Sequence, residues 1–190
     1  ILPLRGDGTW QQWVDCPQQW SVPVPDNTPD LLAARGYINP LAAFVMLKQW
    51  PVQGKRVLLT AANSSCAALL AQWATIQGAT EVVGVWRNED QKAMLLQNGI
   101  RPLTMDDHEA LRITTQYADV VFDAVGGSLA TLLLSHLQAD ANFVSYGLLS
   151  GEPYQAKSYA IRPQRFHLRD TLAVTDSREW QQWFIELWPL

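Results

Sequence analysis

RVLLTAANSSCAALLAQWATIQGATEVVGVWR, residues 56–87, decides the fold. It opens on a short apolar run, RVLLT (56–60), of the kind that forms a fully buried strand. EVVGVW (81–86) is strand-like again, and the segment between the two runs has the apolar spacing of a helix. The positions that show this spacing are Cys66, Leu69, Leu70, Trp73 and Ile76. The order strand, helix, strand predicts two parallel strands joined by a helical crossover.

The same alternation continues along the chain and predicts a doubly wound α/β fold with a parallel sheet. Strands separated by helices of this length need crossover connections, which cover both faces of the sheet. In such a sheet ligands bind beyond the carboxyl ends of the strands, where the strand order reverses. The further predicted strands are RPLTM (101–105), DVVFDAV (119–125) and NFVSYG (142–147), with HLRDTLAV (167–174) as a candidate sixth. The further predicted helices are NEDQKAMLLQNG (88–99), 107–116 and 128–137.

The two ends of the chain lie outside this alternation. Residues 1–29 hold five prolines between short apolar pieces, which indicates turns and short strands. A helical turn is predicted from Asp30, and Asn39 followed by Pro40 is typical of an N-cap and the first residue of a second helix. REWQQWFIELW (178–188) predicts an amphipathic helix whose tryptophans serve packing.

Length and composition indicate one globular domain. The 190 residues are 48% hydrophobic and 17% charged, which suits a packed core. The net charge is −4 without a run of Lys or Arg, so nucleic acid is not an expected partner. No apolar stretch approaches the ~20 residues that span a bilayer, and the start lacks the regions of a signal peptide. We therefore expect a cytoplasmic protein, although the chain does not begin with Met and an earlier targeting segment stays open.

The sequence predicts no metal site. Cys16 and Cys66 form neither a disulfide framework nor a zinc motif, and both are expected to be small packed side chains. The three histidines, at 108, 136 and 167, are scattered without metal-ligand spacing.

The turn after the first strand, AANSSCA (61–67), is the first candidate for chemistry. It leads into a helix whose free backbone amides and dipole favour a phosphate, so it is the expected place for a dinucleotide diphosphate. The glycine-rich GxGxxG pattern is absent, although small residues keep part of its steric logic. The alternative interpretation is an ordinary polar turn with a serine cap.

Arg87 is the second candidate. It follows EVVGVW directly and lies 20 residues past the end of the turn, the region where NAD-binding domains carry an acidic residue for the ribose 2′-hydroxyl. An arginine there pairs with the 2′-phosphate of NADP instead. The alternative is a solvated arginine at the start of a helix.

Residues after the next two strands are the third candidate. Asp123, Val125, Gly126 and Gly127 follow one strand, and Tyr146 to Leu149 follow the other, so both groups are expected to face the same crevice. Glycines at such positions permit a ligand to approach the backbone closely, but they also suit ordinary tight turns.

Several segments together resemble the medium-chain dehydrogenase/reductase superfamily, in particular its zinc-free 2-enoyl thioester reductase and quinone oxidoreductase branches. They occur in the family's order along nearly the whole chain. The resembling strings are GDGTW (6–10), YINPLAAFVML (37–47), VLLTAANSSCAALLAQWA (57–74), DAVGG (123–127), YGLLSGEP (146–153) and LRDT (168–171).

The resemblance implies two parts of a longer protein. Residues 1–29 would be the trailing segment of a GroES-like catalytic domain, and residues 30–190 a Rossmann NADP-binding domain whose carboxyl-terminal end is incomplete. The family's catalytic tyrosine has no counterpart here, so the catalytic residues are unknown. The cofactor NADP(H) would contact Asn39, Asn63, Ser64, Ser65, Cys66, Arg87, Asn88, Tyr146, Gly147, Leu148, Leu149, Thr171, Leu172 and Ala173.

The chain also departs from the family's pattern. Ser65 and Ala67 stand where relatives usually have glycine, and Ala42 stands where a threonine is common. Each added Cβ is expected to hold the backbone back from the phosphates and weaken cofactor binding. Tyr37 stands where zinc alcohol dehydrogenases have a catalytic cysteine, which fits zinc-free hydride transfer.

Two hypotheses on function follow. The first is an NADPH-dependent oxidoreductase that delivers hydride to the activated C=C bond of an enoyl thioester or a quinone-like small molecule, with a homodimer formed through the cofactor domain. The second is a degenerate, non-catalytic module for dimerisation or regulation. Under either hypothesis these 190 residues alone are expected to be inactive.

Overall fold

The computed structural model describes residues 2, 3, 8, 11–87 and 89–190. These residues form two compact units, one of residues 1–45 with 168–190 and one of residues 46–167. The predicted domain boundary between residues 29 and 30 stays a prediction about the longer protein. In chain order the elements are β1 (Leu2–Pro3), β2 (Ser21–Val22), α1 (Asp30–Arg35), α2 (Ile38–Gln49), β3 (Arg56–Leu59), α3 (Ser65–Ile76), β4 (Glu81–Trp86), α4 (Lys92–Gln97), β5 (Arg101–Thr104), α5 (His108–Tyr117), β6 (Val120–Asp123), α6 (Gly127–Leu134), β7 (Asn142–Ser145), β8 (Gln164–Arg165), α7 (Leu168–Val174) and α8 (Ser177–Leu187).

The unit of residues 46–167 is built on a six-stranded parallel sheet in the order β5-β4-β3-β6-β7-β8. From β3 the chain moves outward through β4 to β5 and then returns to β6 on the other side of β3. The strand order therefore reverses between β3 and β6. This topology confirms the predicted doubly wound, Rossmann-like α/β fold.

The central strands are continuous apolar runs because helices cover both faces of a parallel sheet. In β3, Leu58 is fully buried and pairs with Val83 of β4 and Val121 of β6. The core on which these strands pack includes Leu133 from α6 and Leu111 from α5. None of the helices in the described part of the chain is long and apolar enough to span a membrane.

The unit of residues 1–45 and 168–190 packs around aromatic side chains. Trp180 is buried in α8, and its ring lies 6.0 Å from the rings of both Trp20 and Tyr37. Gly36 closes the turn after α1, where a Cβ atom would lie 2.8 Å from the Trp188 ring. The packing function that the sequence predicts for the terminal tryptophans is thus visible in this unit.

The candidate sixth strand at 167–174 is wrong, because residues 168–174 form helix α7 and the sixth strand is the two-residue β8. The more protected positions, Leu168, Thr171, Leu172 and Thr175, recur at intervals of three or four, which is the period of a helix. Thr175 also donates a side-chain hydrogen bond to the carbonyl oxygen of Thr171, one helical turn earlier.

The predicted start of the second helix is also corrected. Helix α2 begins at Ile38, so Asn39 and Pro40 are its second and third residues rather than its N-cap and first residue. Proline is tolerated there because the first-turn amides of a helix have no intrahelical acceptor.

Candidate functional site

A cavity of about 370 Å³ lies at the carboxyl edge of the sheet, beside the point where the strand order reverses. Each of the loops after β3, β4, β5, β6 and β7 contributes to its wall. The lining residues are Ala61, Asn63, Ser64, Val85, Trp86, Arg87, Met105, Val125, Gly126, Ser128, Leu129, Leu149 and Ser150. The fold therefore places a cleft where open α/β sheets bind ligands.

The turn between β3 and α3 presents free backbone amides to this edge. Ser64 is the N-cap of α3, and its hydroxyl oxygen accepts a hydrogen bond from the Ala67 amide at 3.2 Å. The amides of Ser65 and Cys66, at the first two helical positions, have no acceptor among the described residues. A capped helix start with two free amides and the positive end of the helix dipole is suited to an anionic group.

The neighbouring strand helps this turn to lie close to the sheet without the missing loop glycines. A Cβ atom on Gly84 of β4 would lie 2.5 Å from the Ala62 side chain. The Ala62 amide donates to the carbonyl oxygen of Val85 at 3.1 Å, and Ala61 takes the left-handed conformation, with φ of 47°. Because Gly84 has no side chain, Ala62 can lie against β4, and the turn approaches the sheet closely although the turn itself has no glycine.

Thr60 and Asp123 join the ends of β3 and β6 beneath the cleft. The Thr60 hydroxyl donates to Asp123 Oδ1 at 2.7 Å and accepts from the Ala124 amide at 2.8 Å. The Asp123 carboxylate also accepts from the amides of Val125 and Gly126, at 3.1 and 3.0 Å. Burial raises the pKa of Asp123, and these hydrogen bonds oppose the rise. The buried carboxyl fixes the turn that leads into α6.

Two glycines allow the loops after β6 and β7 to interlock. Gly126 has φ of 74°, and a Cβ atom there would lie 2.6 Å from the Glu152 carbonyl oxygen. A Cβ atom on Gly147 would lie 2.8 Å from the Ala124 carbonyl oxygen. The close approach explains why glycine follows both strands, since any side chain would separate the loops that form one wall of the cleft.

Arg87 extends the cleft at the end of β4. Its side chain is exposed and lines the cavity together with Trp86 and Met105. Within the described part of the chain, the guanidinium makes no ion pair or hydrogen bond. An arginine at a cavity that also reaches Ser64 provides a second point of attachment for anionic groups.

Cys66 and Tyr146 form the buried part of the site. Burial raises the pKa of the Cys66 thiol to about 11, so it stays neutral. Burial also raises the pKa of Tyr146, with Cys66 contributing and the nearby Ser64 hydroxyl opposing. The Tyr146 hydroxyl oxygen is buried without a hydrogen-bond partner in the residues that the structure describes.

The structure brings most of the predicted site residues to one edge of the sheet. Asn63, Ser64, Arg87 and Leu149 line the cavity. Ser65 and Cys66 begin α3 beside it, and Tyr146, Gly147 and Leu148 belong to the loop after β7. Asn88 lies outside the described residues.

The remaining predicted residues belong to the other compact unit. Asn39 is in α2, and Thr171, Leu172 and Ala173 are in α7. Thr171 and Leu172 are half-buried and Ala173 is exposed. Their contribution to a cofactor site stays a prediction.

Sequence reasoning missed several cavity-lining residues. Trp86 and Met105 are the last residues of two predicted strands, so their position at the carboxyl ends of the strands is a usable signal. Ser128 and Leu129 lie in the first turn of α6, and Ser150 lies in the loop after β7. Within the described residues, no three or more His, Cys, Asp and Glu side chains group to hold a metal ion.

Comparisons with known proteins agree with this architecture. A family model described as zinc-binding dehydrogenase matches residues 67–188. The chain is 26% identical over 151 residues to prostaglandin reductase-3 of Bos taurus, covering 76% of this chain and 39% of that protein. It is 28% identical over 168 residues to the mitochondrial enoyl-[acyl-carrier-protein] reductase of Xenopus tropicalis, covering 80% of this chain and 47% of that protein.

A solved structure from Bacillus thuringiensis, described as that of an NADPH:quinone reductase, resembles nearly the whole chain. It is 30% identical with a TM-score of 0.90, and the match covers 99% of this chain and 60% of that one. The chain therefore spans between 39% and 60% of the length of these three proteins.

Proposed function

Because the chain belongs to the zinc-binding dehydrogenase family, within the medium-chain dehydrogenase/reductase superfamily, we propose that the complete protein is an NADPH-dependent oxidoreductase. It transfers hydride to the activated C=C bond of a small molecule, either an enoyl thioester or a quinone-like acceptor. The 190 residues supply the cofactor-binding part, and the catalytic residues belong to the remainder of the protein. The names of the similar reductases support this reaction class.

One observation carries the proposal: the free amides that begin α3 lie beside the same cleft that Arg87 lines. The amides of Ser65 and Cys66 would hold the diphosphate, since two unpaired donors at a helix start match its charge. Arg87 would pair with the 2′-phosphate, which distinguishes NADPH from NADH. When bound, NADPH supplies the hydride, and the protein supplies orientation.

The other lining residues fit the uncharged parts of the same cofactor. Trp86, Met105 and Leu129 give the cavity an apolar wall that would hold an adenine ring. In this proposal Asn88 and Arg87 would contact the 2′-phosphate, and Tyr146 to Leu149 would contact the nicotinamide ribose, as the family resemblance implies. The contribution of Asn39 and of Thr171 to Ala173, which belong to the other compact unit, stays an expectation that the family resemblance implies.

The loop without glycines remains compatible with the diphosphate. Ala67 is fully buried, so its methyl group packs into the protein and not toward the cleft. Ser65 is exposed at the first helical position, and its side chain is the one that a phosphate would meet. We therefore expect cofactor binding that is weaker than in glycine-containing relatives but not abolished.

The decisive experiment is a fluorescence titration of the purified chain with NADPH and NADH, which compares wild type, Arg87→Ala and Arg101→Ala. Wild type is expected to prefer NADPH, and Arg87→Ala to bind NADPH about 10- to 100-fold more weakly because charge-assisted hydrogen bonds are lost. Arg101 is the matched control, since it begins β5 at the opposite edge and pairs with Glu81 at 2.6 Å.

Three outcomes would contradict the proposal. These are absence of binding of either nucleotide to wild type, a preference for NADH, and equal NADPH affinity of Arg87→Ala and wild type. The acceptor is identified with the complete protein, by following NADPH oxidation with enoyl thioesters and with quinones.

The second candidate function is a non-catalytic module for dimerisation or regulation. Ser65 at the helix start, in place of the glycine usual in relatives, favours it. Robust NADPH oxidation by the complete protein would eliminate this candidate. A homodimer through the cofactor domain is part of the first candidate and one of the two forms of the second, dimerisation or regulation; sedimentation of the purified chain tests it.

A further inference from the structure

The guanidinium of Arg87 is held by no other side chain in the described part of the chain. It is exposed, lines the cleft and makes neither an ion pair nor a hydrogen bond with the described residues. At the opposite edge of the sheet, by contrast, Arg56 and Arg101 are each paired with a carboxylate, at 3.2 and 2.6 Å. A guanidinium presents five N–H donors on a side chain with several rotatable bonds, so its position is set by the phosphate that it meets.

The cleft wall beside Arg87 is apolar and carries no acidic group among the described residues. Trp86 and Met105 belong to it, and the Met105 amide donates to the Trp86 carbonyl oxygen at 3.0 Å, so these two backbone groups are already paired. Of the described residues that line the cleft, none is an aspartate or a glutamate. In NAD-binding domains an acidic residue in this region fixes the ribose through a hydroxyl group. No carboxylate among these lining residues therefore decides which ribose oxygen faces Arg87.

The start of α3 beside the cleft suits the diphosphate of more than one nucleotide. The amides of Ser65 and Cys66 have no acceptor among the described residues, and Ser64 caps the same helix start. Backbone amides and a helix dipole recognise negative charge, and they do not distinguish the groups attached beyond the diphosphate. If the proposed function holds, the ligand chemistry that this cleft recognises is an adenosine 5′-diphosphate with one further phosphate on its ribose.

NADPH and coenzyme A both have this chemistry. NADPH carries the further phosphate on the ribose 2′-oxygen, and coenzyme A carries it on the neighbouring 3′-oxygen. We propose that the cleft binds both isomers, so that coenzyme A and its thioesters compete with NADPH for this chain. This inference rests on the proposed function and adds a form of regulation to the same site. Because enoyl thioesters are one proposed class of acceptor, the carrier of the substrate would slow the enzyme when it accumulates.

The test compares nucleotides that differ only in the ribose phosphate: adenosine 2′,5′-bisphosphate, adenosine 3′,5′-bisphosphate and AMP. Isothermal titration of the purified chain is expected to give the two bisphosphates affinities within about fivefold of each other. Each is expected to bind about 10-fold or more tightly than AMP, because charge-assisted hydrogen bonds are gained. Arg87→Ala is expected to bring both bisphosphates close to the affinity of AMP. Arg101→Ala, the control at the opposite edge of the sheet, is expected to leave the affinities unchanged.

A competition titration uses coenzyme A itself. Coenzyme A is expected to raise the apparent Kd of NADPH in proportion to its concentration, as binding to one shared site requires. Pantetheine, which lacks the nucleotide, is expected to leave the Kd of NADPH unchanged.

The outcomes separate this inference from the proposed function. An apparent Kd of NADPH that coenzyme A does not change would overturn the inference. So would adenosine 3′,5′-bisphosphate that binds no more tightly than AMP. If adenosine 2′,5′-bisphosphate and NADPH still bind through Arg87 in either case, the inference fails and the proposed function stands. Wild type that binds neither bisphosphate nor NADPH overturns both.

Discussion

Asp119 and Asp123 lie at the two ends of strand β6, and they differ in burial, in hydrogen-bond partners and in the direction of their pKa shifts. Asp119 precedes β6 and is partly exposed, where it pairs with Arg56 at 3.2 Å. Asp123 ends β6 fully buried, and its partners are the Thr60 hydroxyl and the amides of Val125 and Gly126. The pKa of Asp119 is lowered, chiefly by its hydrogen bond with Arg56, whereas burial raises the pKa of Asp123.

The difference between these residues extends to the two edges of the sheet. The amino edge also has a cavity, of about 230 Å³, but its lining arginines, Arg56 and Arg101, are each held by a carboxylate. The carboxyl edge has uncharged donors, free helix amides and Arg87 around a cavity of about 370 Å³. A cavity with an arginine is thus not enough to indicate an anion site, since the guanidinium must also be available to a ligand.

The largest expected effect is on stability, from truncating the buried aspartate. Asp123→Ala leaves the Thr60 hydroxyl and two loop amides without an acceptor, which we expect to lower the free energy of unfolding by about 2 to 4 kcal/mol. Asp119→Ala removes a partly exposed ion pair and is expected to cost about 1 kcal/mol or less. Urea unfolding of both variants and wild type at neutral pH measures the two values.

The order of these two variants is the informative result. If Asp119→Ala were the more destabilising variant, the buried carboxyl would not be the group that fixes the loop into α6. An unchanged urea midpoint for Asp123→Ala, with the same slope of the transition as wild type, would also contradict the function of the buried carboxyl in fixing this loop.

The buried thiol at the carboxyl edge predicts a loss of stability in alkali. The folded pKa of Cys66 is about 11 against an ordinary value of 9.0. A raised pKa means that the stabilisation is fully present below pH 9 and is lost as the pH rises through about 11. For Cys66 alone this loss amounts to about 2 kcal/mol between pH 8 and pH 11.

Cys66→Ala is expected to abolish that part of the alkaline slope, while Cys16→Ala, at a half-exposed thiol, keeps it. Urea unfolding at pH 8 and at pH 11 gives, for each variant, the difference in the free energy of unfolding between the two pH values. Equal slopes for Cys66→Ala and wild type would mean that the thiol is more accessible to water than its burial indicates.

The sequence predicts the sheet well because buried parallel strands are continuous apolar runs. RVLLT and EVVGVW correspond to β3 and β4 within one residue. The same rule fails at the sheet edge, where β8 has only two residues and leaves no such run. The sequence predicts a strand where helix α7 lies, because a seven-residue segment is too short for its helical period to be clear without the fold.

The sequence predicts those residues of the candidate site that directly follow a strand. The turn after β3 and Arg87 follow strands directly, so their placement at the carboxyl edge follows from the topology. Ser150 could not be found in this way, because it reaches the cleft through a contact between loops, the hydrogen bond from the Ser150 amide to the Val125 carbonyl oxygen, 25 residues apart. The part that Gly84 plays beneath Ala62 likewise depends on strand pairing.

The smallest expected effect is in acid, and its sign differs between the two aspartates. The lowered pKa of Asp119 means that its contribution is present above the ordinary pKa and is lost as the pH falls through the folded value. The raised pKa of Asp123 means that its ionisation removes stability as the pH rises through the folded value. Asp119→Asn is therefore expected to flatten the loss of stability on acidification, and Asp123→Asn to steepen it. Urea midpoints of both variants and wild type from pH 3 to pH 7 measure the slopes, and a change of slope in the same direction for both variants relative to wild type would show that the two ends of β6 do not differ as their burial implies.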